Sequence, residues 1–402
     1  MILRALFERR QATAYTTTYV HAGATSSAGV AVTPDTAMRV SAVFACVRLI
    51  AATIGTLPIH VYRKRPDGSR ERVDDHPAAA VLTQRPNPSW TRQQLIEQLV
   101  THLLLWGNAF LGVERNELGY PLAIWLIHPA RVRVWGDGRE RRYFVDEKPV
   151  PTGQIVHVPA LSVDPATGIG LSPIAVAREA IGIALAADEA AARFWEAGGV
   201  VSGIIKTDAS LTPEQAQRLL RAWEAMHRGA RRAGRVAVLD SGAEWQPVSA
   251  PWKDFQFLEQ RQFQVAEIAR LFGVPPHLIG DVERSTSWGT GIAHQTLGFL
   301  QFTLRPWLVR LEDVFSQDLI VTRGLYVQFS VEGLLRADIE TRFQAYRMGR
   351  EMGIYSANEI RELEDLPPIG PEGDILYAPA NWVPVARTRT ELAGGGDEPG
   401  SS

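Results

Sequence analysis

Nine histidines, one cysteine and scattered serines and carboxylates are what a catalytic or metal site would have to be built from. The histidines, among them His227, His277 and His294, fall on different segments and show no ligand pairing at metal spacing. Ser172 stands directly before Pro173, where its hydroxyl is expected to cap a helix rather than attack a substrate. Gly168 and Gly170 do not form the dinucleotide-binding pattern after a strand, and no phosphate-binding P-loop occurs. Cys46 lies alone in an apolar helical run, which excludes a disulfide framework and a cysteine-cluster metal site. We therefore expect no catalysis, no metal and no cofactor.

Charge is the remaining source of chemistry. Lysine and arginine total 42 against 44 acids, so no global positive field announces a polyanion partner. Locally the balance tips: Arg218, Arg221, Arg228, Arg231, Arg232 and Arg235 are opposed only by Glu224, with Gly229 and Gly234 among them. Such a cluster attracts a polyanion or an acidic surface, although a solvated loop explains it as well. A second segment, Asp281, Glu283, Arg284, Ser285, Thr286, Ser287 and Trp288, mixes both charge signs with hydroxyls, and taken alone it reads as a helix connection. The stretch from Glu359 to Asp374 is acidic. The most hydrophobic stretches, near Phe44 to Leu57 and Leu95 to Leu105, are interrupted before they could span a bilayer, and Met1 to Arg10 carries no export signal. A soluble protein is expected, with no membrane partner.

The elements that must carry these residues can be read from periodicity. Val40, Val43, Phe44, Val47, Ile50, Ala51 and Ile54 predict a helix over 35–56, ended by Gly55 and Pro58. Ile59 to Lys64 alternates as a strand, and Thr91 caps a helix to Trp106. Strands are predicted at 110–115, 122–127, 132–135, 142–145 and 155–159. A long helix runs from Ser172 to Glu196 with small residues at Ala180, Ala184, Ala187 and Ala191, a face whose partner the pattern does not name. A compact insert follows, with a helix over 211–226 and strands at 235–239 and 244–248 flanking a turn at Asp240, Ser241 and Gly242. Further helices are predicted at 253–272 and 289–319. Pro306 lies inside the last of these and should kink it near Phe302 to Pro306, because proline removes a backbone donor and clashes one turn earlier. A strand at 326–330 and helices near 338–352 and 356–363 complete the ordered chain. The class is α+β and mainly helical, with 1–34 as a flexible arm.

Five stretches in order resemble the portal protein family of tailed bacteriophages across nearly the whole span from Asp35 to Pro384. The first is Ser41-Ala42-Val43-Phe44-Ala45-Cys46-Val47-Arg48-Leu49-Ile50-Ala51, ending in Leu57-Pro58. Pro86-Asn87-Pro88 with Trp106-Gly107-Asn108-Ala109-Phe110 is similar to the next signature. Gly170-Leu171-Ser172-Pro173 and Ser202-Gly203 follow. The most specific is Asp254-Phe255-Gln256-Phe257-Leu258-Glu259-Gln260-Arg261, leading into Glu267-Ile268-Ala269-Arg270-Leu271-Phe272-Gly273-Val274-Pro275-Pro276.

The resemblance implies a portal fold: a wing over 35–171, a stem helix over 172–197, a clip over 198–252, and a second stem helix over 253–279. It further implies a tunnel loop over 280–288, a kinked helix and wing strand over 289–332, a crown over 333–369 and an extended tail over 370–402. It implies a dodecameric ring in the virion, assembled in the bacterial host cytoplasm, at the capsid vertex of a phage or gene transfer agent. Through it double-stranded DNA would be packaged and ejected without sequence readout. The implied partners are a second copy of the chain, the large terminase that supplies the energy, the major capsid protein and the head-completion adaptor. In that setting Asp281 to Trp288 would line the DNA channel, and the clip arginines would meet DNA or the acidic surfaces of motor and adaptor. Two other readings stand beside it. A monomeric DNA-binding adaptor would rest on the arginine cluster, and a nucleic-acid-processing enzyme would need a convergent acid or histidine cluster that the sequence does not offer.

Overall fold

The computed structural model describes residues 16–19, 23–66, 68–162, 164–196, 203–206, 211–227, 244–247, 257–281, 295–331, 339–364 and 366–377. The chain divides into two compact units, Met1–Phe329 and Ser330–Ser402.

The first unit is built on helix α1 (Ser41–Thr56) and helix α2 (Arg92–Trp106), which pack against each other. The predicted apolar stripe of α1 is buried at Val43, Val47, Ile50, Ala51 and Ile54, with Cys46 beside them, whereas Phe44 of that stripe is exposed. The residues before it, Pro34–Ala37, form a separate turn capped by Thr33, so the expected single helix from 35 begins at Ser41. Helix α2 opens with a capping box in which Thr91 and Gln94 exchange hydrogen bonds, and it ends at Gly107 in the left-handed conformation. A side chain at Gly107 would bring its Cβ to 2.1 Å from the carbonyl oxygen of Leu171, so the close approach of two chain segments also demands glycine there.

Three antiparallel sheets of three or four strands accompany this pair in the first unit. The first joins β1 (Thr16–Tyr19), β8 (Val132–Gly136), β9 (Arg141–Val145) and β10 (Lys148–Val150) in that order. The second orders β11 (Ile155–Pro159), β6 (Asn108–Arg115) and β7 (Pro121–Ile127). The third orders β14 (Leu325–Phe329), β4 (Ile59–Lys64) and β5 (Arg70–Arg72), so a late strand returns to pair with an early one. Phe110, Val132, Val134, Tyr143 and Ile155 form a core cluster shared by the first two sheets.

The flexible arm expected over 1–34 is corrected where the structure describes it. The threonine-rich β1 adds a strand to the edge of β8, and a small hairpin of β2 (Ala24–Thr25) and β3 (Ala31–Val32) packs on helix α3 (Arg178–Glu196). Its Ser26 sits where a Cβ on Gly182 would otherwise be, and the Ser27 N–H donates to Glu179 Oε2 at 2.9 Å. Small polar residues lack a hydrophobic period, and the backbone pairing that orders them is long-range.

The helix expected from Ser172 to Glu196 is also divided. Ser172 caps a turn at Pro173–Val176 that buries Ile174, and α3 departs from it beyond Ala177. Helix α3 packs on α5 (Phe257–Phe272) as well as on the hairpin. Between them, β12 (Gly203–Lys206) pairs with β13 (Glu244–Pro247), and helix α4 covers Pro213–His227. The strand expected at 235–239 lies outside the described residues, and the partner of β13 is β12. Past α5, residues 295–298 are α-helical, Phe299–Leu304 form a π turn, and helix α6 covers Arg305–Asp318.

The second unit holds helix α7 (Ile339–Glu351) and helix α8 (Ala357–Leu363), the latter opened by a capping box of Ser356 and Glu359. Arg342 and Tyr346 of α7 both reach Glu364 at the end of α8, at 2.7 and 2.9 Å.

Candidate functional site

Most of the polar segment singled out in the sequence, Glu283, Arg284, Ser285, Thr286, Ser287 and Trp288, lies outside the described residues; its base does not. Helix α5 ends at Gly273 in the left-handed region, and a 3-10 turn at Pro276–Ile279 then leads through left-handed Gly280 to Asp281. The Asp281 N–H donates back to the Pro276 carbonyl at 3.0 Å, while Oδ2 of Asp281 is buried with no hydrogen-bond partner among the described residues. Leu278, Ile279 and Gly280 form one wall of a half-open cleft whose other wall is Ala45, Arg48, Leu49, Ala52 and Thr53 of α1.

The returning strand of the chain is tied to the same base. Thr303, inside the π turn, donates its hydroxyl to the Gly273 carbonyl, and a side chain at Gly273 would collide with that hydroxyl. Pro306 follows within α6. It cannot offer the N–H that the Phe302 carbonyl would take in α geometry, and in the π turn Arg305 N–H bonds Leu300 O one residue further back than usual. The ring of Phe302 is left 76% exposed.

Of the arginine cluster, Arg218 and Arg221 are described. Both are exposed on α4, three residues apart and so on one face. Arg228, Arg231, Arg232 and Arg235 lie outside the described residues.

A buried polar junction connects α6 to the start of the turn before α3, and sequence reasoning did not find it. Asn108, fully buried, donates through Nδ2 to Gly170 O at 2.9 Å and Trp106 O at 3.1 Å. Its Oδ1 accepts from Gly170 N at 2.8 Å and lies 2.9 Å from His157 Nε2. Ser172 donates to Leu105 O at 2.7 Å while capping Ala175 N. From the other side Arg310 of α6 donates to the carbonyls of Pro159 and Ala160, at 2.7 and 3.0 Å. Ala160 N–H in turn donates to Gly107 O at 2.8 Å. The signal available was the Gly107-Asn108 pair after an apolar helix, which marks a helix end but not the partners of the amide.

Electrostatics agree with a structural role for these groups. Burial, helped by the Arg141 charge, lowers His157 to about 3, and burial with the neighbouring His128 lowers His102 to about 4, so both are neutral. Burial also raises Glu312, which accepts the Phe329 N–H at 2.8 Å, and raises Asp318. Burial pushes the Cys46 thiol up to about 12, far from a reactive thiolate. No group of three metal-ligating side chains occurs among the described residues, and no described helix is long and apolar enough to cross a membrane.

This architecture has relatives. The phage portal protein family matches residues 41–365. A probable portal protein of Streptomyces phage phiC31 is 38% identical over 372 residues, covering 87% of this chain and 79% of its own. The portal protein of Enterobacteria phage HK97 is 33% identical over 357 residues, covering 87% and 83%. Among solved structures, a chain in the neck of an empty gene transfer agent particle, computed with C6 symmetry, superposes with a TM-score of 0.58 at 26% identity, covering 83% of this chain and 94% of that one. In the neck of the native particle, computed with C12 symmetry, the corresponding values are 0.54, 26%, 82% and 92%. The chain belongs to the phage portal protein family, a structural family rather than an enzyme family. Its place is the channel at a capsid vertex.

Proposed function

We propose that this chain is one subunit of a dodecameric ring through which double-stranded DNA is packaged and ejected, with segment 280–288 projecting toward the bore. The observation that carries the reading is the double anchorage of that segment. Its entry is held where the turn Pro276–Ile279 packs on α1, and its return is held to Gly273 by Thr303. A channel must surround a polyanion without gripping it, since every phosphate contact made has to be broken during translocation. Near-balanced charge and a short loop of mixed sign on a fixed base meet that requirement. The clip arginines, starting with exposed Arg218 and Arg221, serve as the docking face for the large terminase and the head-completion adaptor. The major capsid protein and the virion's DNA are the remaining partners, and assembly takes place in the bacterial host cytoplasm.

Imaging of the assembled protein together with a packaging assay tests this. Shortening 280–288 is expected to leave rings intact and to impair packaging or retention of DNA. Normal packaging by that variant removes the loop assignment, and a strictly monomeric chain under capsid-like conditions removes the ring.

A further inference from the structure

The sheet of β14, β4 and β5 has one face unlike the rest of the molecule. Between 63 and 74 the sequence carries Arg63, Lys64, Arg65, Arg70 and Arg72 against Asp67, Glu71 and Asp74. Register decides which of these share a side. Tyr62 is paired with Arg72 on one neighbour and Tyr326 on the other, and Lys64 is paired with Arg70. Directly opposed residues project from the same face. Tyr62, Lys64, Arg70, Arg72 and Tyr326 therefore stand together, with His60 and Gln328 one pair further along, while Ile59, Val61, Val327 and Phe329 are buried on the reverse.

One of these cations is ordered by an aromatic ring. The Arg70 guanidinium lies 4.9 Å from the centroid of the Tyr62 ring, and its Nη1 donates to Gln328 Oε1 at 2.9 Å. Tyr62 and Tyr326 are 5.8 Å apart at the ring centroids. Of the nearby acids, Glu71 is engaged off the face with Arg63 and Arg65 at 3.7 and 3.5 Å, and Asp74 pairs with Arg72 of the face at 2.8 Å. Neither Lys64 nor Arg70 has an acidic partner within ion-pair distance among the described residues. Beside the face, a half-open cleft of ≈ 340 Å³ is lined by His60, Arg72, Asp74, Thr83, Gln84 and Arg92.

We propose that this face is a second nucleic-acid contact, taking the phosphate backbone of duplex DNA and reading no sequence. Phosphate oxygens accept from guanidinium, ammonium, amide and hydroxyl donors alike, and all four kinds stand here on or beside one sheet. A protein partner fits less well, because the core of a protein interface is depleted of charge and this face sets Lys64, Arg70 and Arg72 beside its two tyrosines. The choice of duplex DNA as ligand rests on the portal reading; the cationic face does not. None of these residues belongs to the 280–288 segment, so in the portal reading this contact would act on DNA at the wing rather than through that loop.

The test uses the full chain and labelled duplexes of two unrelated sequences, with affinity read by anisotropy across a salt series. The variant K64Q/R70Q/R72Q is expected to lose about tenfold in affinity for both duplexes. Its log affinity against log salt becomes shallower by about 0.9 for each phosphate contact removed. Melting and ring images of the variant establish that it is folded and assembled, and the exposed single change Lys64→Gln, with a smaller loss in the same direction, replaces it if it is not. Unchanged affinity and slope in a folded variant overturn the proposal. Loss of binding to a polyglutamate probe with duplex binding intact also overturns it, in favour of an acidic protein partner. Absence of rings in the parent chain counts against the portal reading, and the duplex titration is still read independently of it.

Discussion

At the level of single residues, the amide of Asn108 makes four polar contacts, three of them buried. Removing it leaves the amide and carbonyl of Gly170 and a histidine ring without these partners in a buried site, each a cost of about 1–3 kcal/mol. Asn108→Ala is therefore expected to destabilise the first unit by at least about 3 kcal/mol, seen as a lower urea midpoint, and a loss under about 1 kcal/mol would refute the account. The neutral histidines make a second prediction. His157 and His102 bind protons in the unfolded chain near pH 6.5 but in the fold only near pH 3 and 4, so the unfolded state takes up more protons on acidification. Their contribution is complete above pH 6.5 and is lost as pH falls, by about 1.4 kcal/mol per pH unit for each group between pH 6 and 4. His157→Gln should remove one of these proton equivalents from the pH dependence of unfolding, and an unchanged slope would show that His157 is not the group responsible.

Among the elements, the chain from 295 to 318 is the most informative, because one residue type changes its geometry. Pro306 without its N–H is compatible with the π turn at Phe299–Leu304, and that turn aims Thr303 at the Gly273 carbonyl. Pro306→Ala supplies the missing donor. It is expected to let the turn relax to α geometry, rotate Thr303 off Gly273 and shift the base of the 280–288 segment. A ring reconstruction of the variant with the π turn still in place would rule this out. The return of β14 to β4 is another element-scale feature, since it completes a three-stranded sheet, packs on α6 and brings the Phe329 amide to Glu312.

For the whole molecule, the distribution of the core sets the expectation. Every buried apolar side chain among the described residues falls between Val32 and Phe329, and none belongs to the second unit. A chain ending at Phe329 should fold with a urea midpoint close to that of the full protein. Residues 330–402 alone should show little helix by far-UV circular dichroism, because helices of 13 and 7 residues are marginal without apolar burial. A cooperative melt of the isolated second unit would contradict this.

Local features follow from the amino-acid order alone. The strands at 59–64 and 155–159 and the helix capped by Thr91 needed only period and capping residues, and each lies where those place it. The stretches that carry the family resemblance are similarly contiguous, which is why the portal family is legible in the residues themselves. Whatever depends on partners far along the chain came instead from tertiary packing. Order in residues 16–19 and 23–34 comes from pairing with β8 and packing on α3, not from their own composition. The role of Asn108 comes from Gly170, sixty-two residues away, and the basic-aromatic face on β4 comes from Tyr326 and Gln328 crossing from the end of the unit. Period and capping are properties of neighbours in sequence, whereas a buried amide or a shared sheet face takes its meaning from the register of strands that only folding brings side by side.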